Sequence, residues 1–507
     1  MENSNVAKGT MQIASVNAAE YMVMALFYIF VTKTGTLTQT DLGVLSILTF
    51  LTTTFSDLTR LALPTALTKF ASENLGKNQL EEAAAIQKTV TRTMLVLSII
   101  GLVIMAIVSG PLSQYFWITP TYAPIIILMA TYGSLFNLIL LYKSGLQALR
   151  LFGKMATITL IFSVSSRTIA AILALLHLGV LGVSIGYISG AVIALSAAII
   201  FFYHRLPRPN DNAPLRPILH FSLPLFFSQI VILVLHWADT VILASMTSNY
   251  ALVGIYYIVV RSIQVLSIIW IPITVTIFPV LSARYGLHDP KSIGNILRDS
   301  SRYLLYMLFP VCLGLALIAP TALTLFYGPG YTPGATPLAI LSIASIILAL
   351  YSLFTATIIA IGKTKDVLKI DTVSALLSIA LLIVLVPFLE ATGAALTRLI
   401  VQMISLMLAI YVLRRHIKVQ LDKEAAWKSF VASTATIPFL IALESTLCAK
   451  IPAIQVFTIE ILVAACIYLF SLYILKALNS QDFKLLRQAS PRFLSKYISL
   501  LEKILVH

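Results

Sequence analysis

The sequence predicts an all-α protein that crosses a membrane many times. Of its 507 residues, 59% are hydrophobic and only 11% are charged, and the mean hydropathy is +0.94. A soluble chain of this length would need many more polar residues to cover its surface. Apolar stretches long enough to cross the roughly 30 Å hydrocarbon core of a bilayer recur along the whole chain.

We predict fourteen transmembrane helices from these stretches. The first stretch is too long for the core of a cleavable signal peptide, so we count it as a span. The predicted spans lie near residues 10–32, 42–63, 92–113, 121–142, 155–176, 181–203, 219–245, 250–280, 300–320, 335–360, 368–388, 392–413, 429–448 and 453–476.

The basic residues support this count and orient the chain. The formal net charge is +15, but the basic residues separate apolar stretches and form no patch with exposed aromatic residues, so nucleic-acid binding is not indicated. With the N-terminus in the cytoplasm, 30 of the 35 Lys and Arg residues fall in cytoplasmic segments. Two, Lys33 and Lys450, fall outside, and three lie within spans. We therefore expect a multi-pass protein of the cell membrane with both termini cytoplasmic.

A repeat with an offset near 211 residues runs through the first twelve predicted spans. Gly43 and Gly254 begin spans 2 and 8 in similar tripeptides, and Gly182 and Gly393 begin spans 6 and 12. Six spans per half is an even number, so the halves have the same orientation and are related by an axis along the membrane normal. This predicts an N-terminal six-helix lobe at 1–206, a cytoplasmic linker at 207–217 and a second lobe at 218–416.

Three further segments and the cysteines complete the organisation. Helices 13 and 14 are predicted within 427–477, followed by an amphipathic cytoplasmic tail at 478–507 that suits an anionic lipid surface. The segment 73–92 is predicted to form a short surface helix. Cys312, Cys448 and Cys466 lack metal-ligand spacing, so the sequence indicates neither a metal site nor a disulfide framework.

Three segments resemble a known transporter family. They are TDLGVLSILTFLTTTFSDLTRLALPTALTKFAS at 40–72, HFSLPLFFSQIVILVLHWADTVILASM at 220–246 and the turn IAIGKTKDVLKI at 359–370. With the fourteen-span layout, the chain resembles the polysaccharide-transporter (Wzx-type) branch of the multidrug/oligosaccharidyl-lipid/polysaccharide (MOP) flippase superfamily. No match is found to the dense ring of cationic residues associated with the lipid II flippases of that superfamily.

The resemblance implies a MATE-like fold of two six-helix lobes around a central cavity, with two further helices at the C-terminus. It also implies alternating access, in which the lobes rock between inward and outward states. The implied substrates are oligosaccharides linked to an isoprenoid phosphate or pyrophosphate, moved across the cell membrane for cell-surface polysaccharide or glycan assembly. No enzymatic activity and no cofactor are expected, and coupling to Na⁺, H⁺ or the membrane potential is left open. Lipid-linked oligosaccharide and membrane lipids are the expected partners of a protein that works as a monomer.

Charged residues within the predicted spans are the candidate functional residues, because a charge at the bilayer centre costs at least about 2.5 to 3.5 kcal/mol. Arg261 is the first candidate for binding the phosphate, since a guanidinium stays charged and offers a bidentate donor. A fixed ion pair of Arg261 with Asp239 is the alternative. Arg398 and Arg167, in the outer parts of their spans, are further substrate candidates. The candidates for ion coupling or charge pairing are Asp239, Glu20 and His236.

Three other classes of function fit this sequence less well. A cation-coupled multidrug exporter of the same fold would favour acidic residues in the cavity, whereas arginines predominate here. A membrane polymerase or ligase needs catalytic groups on a large outer loop, but the longest one, at 320–337, contains no charged residue and no His. A sugar porter of the major facilitator type would have twelve spans and a different loop motif.

Overall fold

The structure, a computed structural model, describes residues 2–117, 120–203, 205–207, 209, 211–287, 289–417, 419, 422–447 and 453–477. All regular structure in these ranges is helical. The α-helices are α1 Glu2–Lys33, α2 Gln39–Arg60, α3 Leu63–Gly76, α4 Leu80–Trp117, α5 Ala123–Ala148, α6 Phe152–Leu175, α7 Gly179–Phe202, α8 Leu215–Thr247, α9 Tyr250–Gln264, α10 Ser267–Gly286, α11 Pro290–Leu317, α12 Ala319–Tyr327, α13 Ala335–Ala360, α14 Thr364–Arg414, α15 Lys423–Thr434, α16 Ile437–Leu447 and α17 Ala453–Ile474.

The predicted all-α membrane architecture is confirmed. Twelve helical segments of the described chain are long and apolar enough to cross a membrane, and α9 with α10, bent by 45° at their junction, makes a thirteenth. The exact count of fourteen stays a prediction, and it depends on whether α14 crosses the membrane twice.

Helix α14 contains a sharp reversal. Its 51 residues would extend about 77 Å as a straight helix, more than twice the thickness of the hydrocarbon core. Glu390 has a non-helical backbone, with φ 47° and ψ −127°. A Cβ added at Gly393 would lie 2.6 Å from the carbonyl oxygen of Leu385, whereas eight residues of straight helix span about 12 Å. The chain therefore turns back near Glu390, between the predicted spans at 368–388 and 392–413.

The chain divides into two compact units, and the first carries the duplicated glycines. This unit comprises Met1–Thr276 and Leu368–Val401. Within it, α2 packs against α9 so closely that a Cβ at Gly43 would lie 1.9 Å from the carbonyl oxygen of Tyr250. A Cβ at Gly254 would lie 1.9 Å from the carbonyl oxygen of Gln39. Gly43 and Gly254 are 211 residues apart, and so are the residues that they contact, Gln39 and Tyr250. A twofold axis relating the two halves requires such reciprocal contacts, so they support the predicted duplication.

The surface helix predicted at 73–92 is not a single helix, and this part of the prediction is wrong. Helix α3 ends at Gly76, and Asn78 adopts a left-handed backbone with φ 59°. From Leu80 onward nothing interrupts the helix, and α4 continues for 38 residues to Trp117. The polar first turns of α4 are therefore a rigid extension of the third predicted span.

The second unit comprises Ile277–Val367 and Gln402–His507. Its C-terminal helices are fixed to α11 by buried hydroxyl groups. Ser429 of α15 donates to the carbonyl oxygen of Leu305 at 3.1 Å, and the Tyr468 hydroxyl of α17 donates to that of Tyr306 at 2.8 Å. Helices α15 to α17 correspond to the predicted helices 13 and 14, whereas the predicted tail at 478–507 lies outside the described residues. The lobe boundaries stay a prediction.

Candidate functional site

Arg261 lies in the last turn of α9, immediately before the junction with α10. Its Nη1 donates to Oε1 of Gln264 at 2.9 Å, and its Nη2 donates to the hydroxyl of Tyr257 at 3.0 Å. The guanidinium carbon also lies 4.7 Å from the centre of the Tyr257 ring and 5.8 Å from that of Trp237. Its Nε is buried without a hydrogen-bond partner. Within the described chain Arg261 forms no ion pair, so its charge is held by neutral groups alone.

Four tyrosines, Tyr28, Tyr132, Tyr187 and Tyr257, form a connected group beside Arg261, which we call the tyrosine cluster. The hydroxyls of Tyr28 and Tyr257 lie 2.8 Å apart, and the side chain of Tyr187 interacts electrostatically with those of Tyr28 and Tyr257. The rings of Tyr132 and Tyr187 are 5.5 Å apart. Helices α1, α5, α7 and α9 each contribute one ring, so the cluster joins helices that are distant in sequence.

Arg167 of α6 also adjoins the tyrosine cluster. Both Arg167 and Arg261 interact electrostatically with Tyr187, which places this ring near two guanidinium groups. Nη1 of Arg167 donates to the Ser163 hydroxyl at 2.6 Å, and its Nη2 lies 4.0 Å from Oε1 of Glu20. Glu20 therefore has a cationic neighbour, at the outer limit of an ion pair.

Asp239 pairs with Arg398 and not with Arg261. Asp239 is 3% exposed, and its Oδ2 accepts hydrogen bonds from Nε of Arg398 and, at 2.6 Å, from the hydroxyl of Tyr256. Its Oδ1 accepts the backbone N–H of Thr240 at 2.7 Å. The carboxylate thus has a cation and two further donors, which is the arrangement that a buried charge needs. The alternative expectation of a fixed Arg261–Asp239 pair does not match this geometry.

His236 lies one turn before Asp239, but its ring does not bond to that carboxylate. Nδ1 of His236 donates to the carbonyl oxygen of Ile232 at 3.0 Å. The carbonyl oxygen of His236 accepts a hydrogen bond from Nη2 of Arg398 at 2.9 Å. In this state the ring and Asp239 do not form the proton relay that their spacing on one helix face allows.

The duplicated halves carry different chemistry at corresponding positions. Tyr28 and Asp239 are separated by 211 residues, and so are Tyr187 and Arg398. The contacting glycines Gly43 and Gly254 are also 211 residues apart. A neutral tyrosine pair between α1 and α7 in the first half therefore corresponds to the ion pair between α8 and the end part of α14 in the second. Asp239 and Arg398 neutralise each other, and Glu20 lies 4.0 Å from Arg167. The net positive charge of this group of residues is therefore that of one guanidinium, and Arg261 is the one without an ion pair among the described residues.

Metal-binding groups are not found in the described chain, where no three His, Cys, Asp or Glu side chains come together as a metal site would require. Cys312 is a buried free thiol and Cys466 an exposed one. Cys448 lies outside the described residues.

These features define a polytopic α-helical membrane protein with a cationic and aromatic site in its first compact unit. The chain belongs to the polysaccharide biosynthesis protein family, whose sequence signature matches residues 6–284. Among curated proteins no sequence matches it.

Solved structures of a lipid flippase and of multidrug transporters share the fold. The lipid II flippase MurJ in its inward closed conformation superposes with a TM-score of 0.75 at 15% identity, covering 91% of this chain and 98% of MurJ. An inward-facing multidrug resistance MATE family transporter gives a TM-score of 0.62 at 16% identity, covering 81% of this chain and 97% of that protein. The MATE multidrug transporter DinF-BH gives 0.62 at 17% identity, with coverages of 83% and 96%. At these identities the likeness establishes the fold alone.

Proposed function

We propose that this protein is a flippase that moves lipid-linked oligosaccharide, carried on an isoprenoid phosphate or pyrophosphate, across the cell membrane by alternating access. The observation that carries the proposal is Arg261, a guanidinium at a helix junction within the membrane domain whose described partners are all neutral. Membership of the polysaccharide biosynthesis protein family supports the same substrate class.

The chemistry of the site suits a phosphate in transit. A phosphate that leaves water must find donors within the membrane domain, and a guanidinium supplies two parallel N–H groups without ever losing its charge. The hydroxyl of Tyr257 and the amide of Gln264 occupy the donors of Arg261 in this state. Because both are neutral, an anion can replace them without breaking an ion pair.

The tyrosine cluster and Arg167 extend the proposed site. Tyrosine rings present both an apolar face, on which a sugar can stack, and a hydroxyl that can donate to phosphate or sugar oxygens. Arg167 lies near Tyr187, as Arg261 does, and its 4.0 Å separation from Glu20 leaves the guanidinium only loosely neutralised. We assign Arg167 to a second contact with the anionic headgroup.

The other intramembrane charges receive different roles in this proposal. Asp239 and Arg398 neutralise each other, so contact of Arg398 with substrate requires the pair to open during the transport cycle. Glu20 remains the candidate for ion coupling, since it is half-exposed beside Arg167. His236 is assigned to helix packing. We further propose that the protein acts as a monomer with both termini in the cytoplasm.

A cation-coupled multidrug exporter is the competing function, favoured by the fold that the chain shares with the MATE transporters. The charge of the proposed site distinguishes a flippase from a cation exporter. The proposed site carries two arginines and one loosely paired carboxylate, so it repels a lipophilic cation and attracts an anion.

Reconstitution tests the proposed function. Purified protein in sealed liposomes should move lipid-linked oligosaccharide to the opposite leaflet, measured as the fraction cleaved by a membrane-impermeant glycosidase. A lipophilic cationic dye should not move under Na⁺ or proton gradients in the same vesicles. Dye transport without oligosaccharide flipping would favour the exporter and contradict the proposal.

A further inference from the structure

The outer face of α4 joins one arginine to a long apolar stripe. Large hydrophobic residues that are exposed recur at helical spacing along α4, and they are Leu95, Val96, Ile99, Ile100, Val103, Ile104 and Ile107. Such a stripe on a membrane helix faces acyl chains. Arg92 is exposed and lies one turn before this stripe on the same face. Its guanidinium is therefore placed at the boundary where acyl chains end and lipid headgroups begin.

A groove of about 380 Å³ opens beside Arg92. One wall is α4, with Thr89, Arg92 and Thr93, and the other is the start of α8 with the preceding segment, including Asn212 and Leu215. The walls are tied together, because the Thr89 hydroxyl donates to the carbonyl oxygen of Ala213 at 3.1 Å. The volume of the groove falls in the range found for small-ligand sites.

The charged side chains that line or adjoin this groove on α4 and α8 are basic. Arg92 lines it and has no hydrogen-bond or ion-pair partner in the part of the chain that the structure describes. Arg216 is exposed next to Leu215, and Lys88 lies on the same end of α4, with its Nζ 3.4 Å from the carbonyl oxygen of Pro209. No acidic side chain of the described residues lines this groove, whereas Glu82 and Asp211 line an adjoining cavity that shares Asn212 and Ala213 with it.

From these features we infer that the groove between α4 and the start of α8 binds the headgroup of an anionic phospholipid. Its phosphate accepts hydrogen bonds from the Arg92 guanidinium and from the side-chain amide of Asn212. Its acyl chains lie along the stripe that begins at Leu95 and Val96. A phosphate suits this place because it meets an unpaired guanidinium at the membrane boundary and stays within reach of water. This site is separate from Arg261 and does not depend on the proposed transport function.

Native mass spectrometry of the full-length protein in detergent tests the inference, with phosphatidylglycerol, phosphatidylcholine and a polyprenyl monophosphate as the added lipids. We expect phosphatidylglycerol to bind more tightly than phosphatidylcholine. Arg92→Gln should weaken phosphatidylglycerol binding about fivefold, the factor that corresponds to about 1 kcal/mol per basic residue near a charged lipid surface. Val96→Trp, which fills the groove and keeps the charge, should weaken it as well.

Lys77→Gln is the matched control, since Lys77 is an exposed cation at the end of α3 and does not line the groove. This variant should bind phosphatidylglycerol like the unaltered protein. Equal binding of phosphatidylglycerol and phosphatidylcholine, or an Arg92→Gln variant that keeps its affinity, would overturn the inference. Binding of the polyprenyl phosphate alone would also overturn it, because the groove would then receive the phosphate of a transported lipid.

Discussion

Replacing Arg261 with alanine is expected to reduce the flipping of lipid-linked oligosaccharide in liposomes by about tenfold to a hundredfold, while the protein still folds. This loss corresponds to about 1.5 to 3 kcal/mol, the net contribution of one charge-assisted hydrogen bond to phosphate. Folding is retained because Tyr257 and Gln264, the partners left behind, are neutral. Arg261→Lys should recover only part of the rate, since lysine keeps the charge but loses the bidentate geometry.

Arg284→Ala serves as the control for this experiment. Arg284 lies in the last turn of α10 and is exposed, with its Nη1 3.9 Å from Asp289. Its removal should leave flipping unchanged. The measurement is the initial rate of glycosidase accessibility at equal amounts of reconstituted protein. An Arg261→Ala variant with an unaltered rate would exclude a role for this guanidinium in substrate binding.

Neutralising only one member of the Asp239–Arg398 pair is expected to destabilise the protein strongly. Arg398→Gln leaves the Asp239 carboxylate, 3% exposed, without its cation, and such an uncompensated charge costs about 3 to 5 kcal/mol. The expected result is low expression and a large fall in the melting temperature, measured by size-exclusion chromatography of heated detergent extracts. The double variant Asp239→Asn with Arg398→Gln should recover most of the stability, because both charges leave together.

The first half of the chain supplies a second, independent double variant. Asp239→Tyr with Arg398→Tyr copies the Tyr28 and Tyr187 pair found at corresponding positions. If either double variant folds and transports, the ion pair is structural; if both fold without transporting, the charges take part in the transport cycle. An Arg398→Gln variant as stable as the unaltered protein would contradict the ion-pair account itself.

Much of the fold could be predicted because its determinants are local. Runs of apolar residues predict the transmembrane helices. The basic residues between these runs predict which connecting segments are cytoplasmic. The glycine register was also visible in sequence, since Gly43 and Gly254 carry no side chain at positions where two helix backbones meet. The break between α9 and α10 was not foreseen, because both helices are apolar and no proline or glycine separates Gln264 from Ser267.

The partners of the charged residues could not be predicted to the same degree. Which residue meets Asp239 depends on the rotation and depth of α8 and of the end part of α14, and hydropathy records neither. The sequence therefore allowed Arg261 as a partner, whereas the structure places Arg398 there. One signal was available: the 211-residue offset aligns Tyr28 with Asp239 and Tyr187 with Arg398.

The tyrosine cluster escaped prediction for a related reason. Tyrosines are numerous in this chain, and most aromatic residues in a membrane helix pack against neighbours or anchor the interface. Only the packing of α1, α5, α7 and α9 identifies the four that adjoin Arg261. The feature that distinguishes Tyr257 is the hydrogen bond that its hydroxyl accepts from the guanidinium of Arg261.

The most direct test of the central claim is an experimental structure with a bound lipid-linked oligosaccharide. We expect a phosphate oxygen within hydrogen-bonding distance of the Arg261 guanidinium, with the hydrogen bonds to Tyr257 and Gln264 replaced or shared. The sugar should contact one or more rings of the tyrosine cluster. A structure with the phosphate bound elsewhere, in which Arg261 still donates to both Tyr257 and Gln264, would contradict this claim.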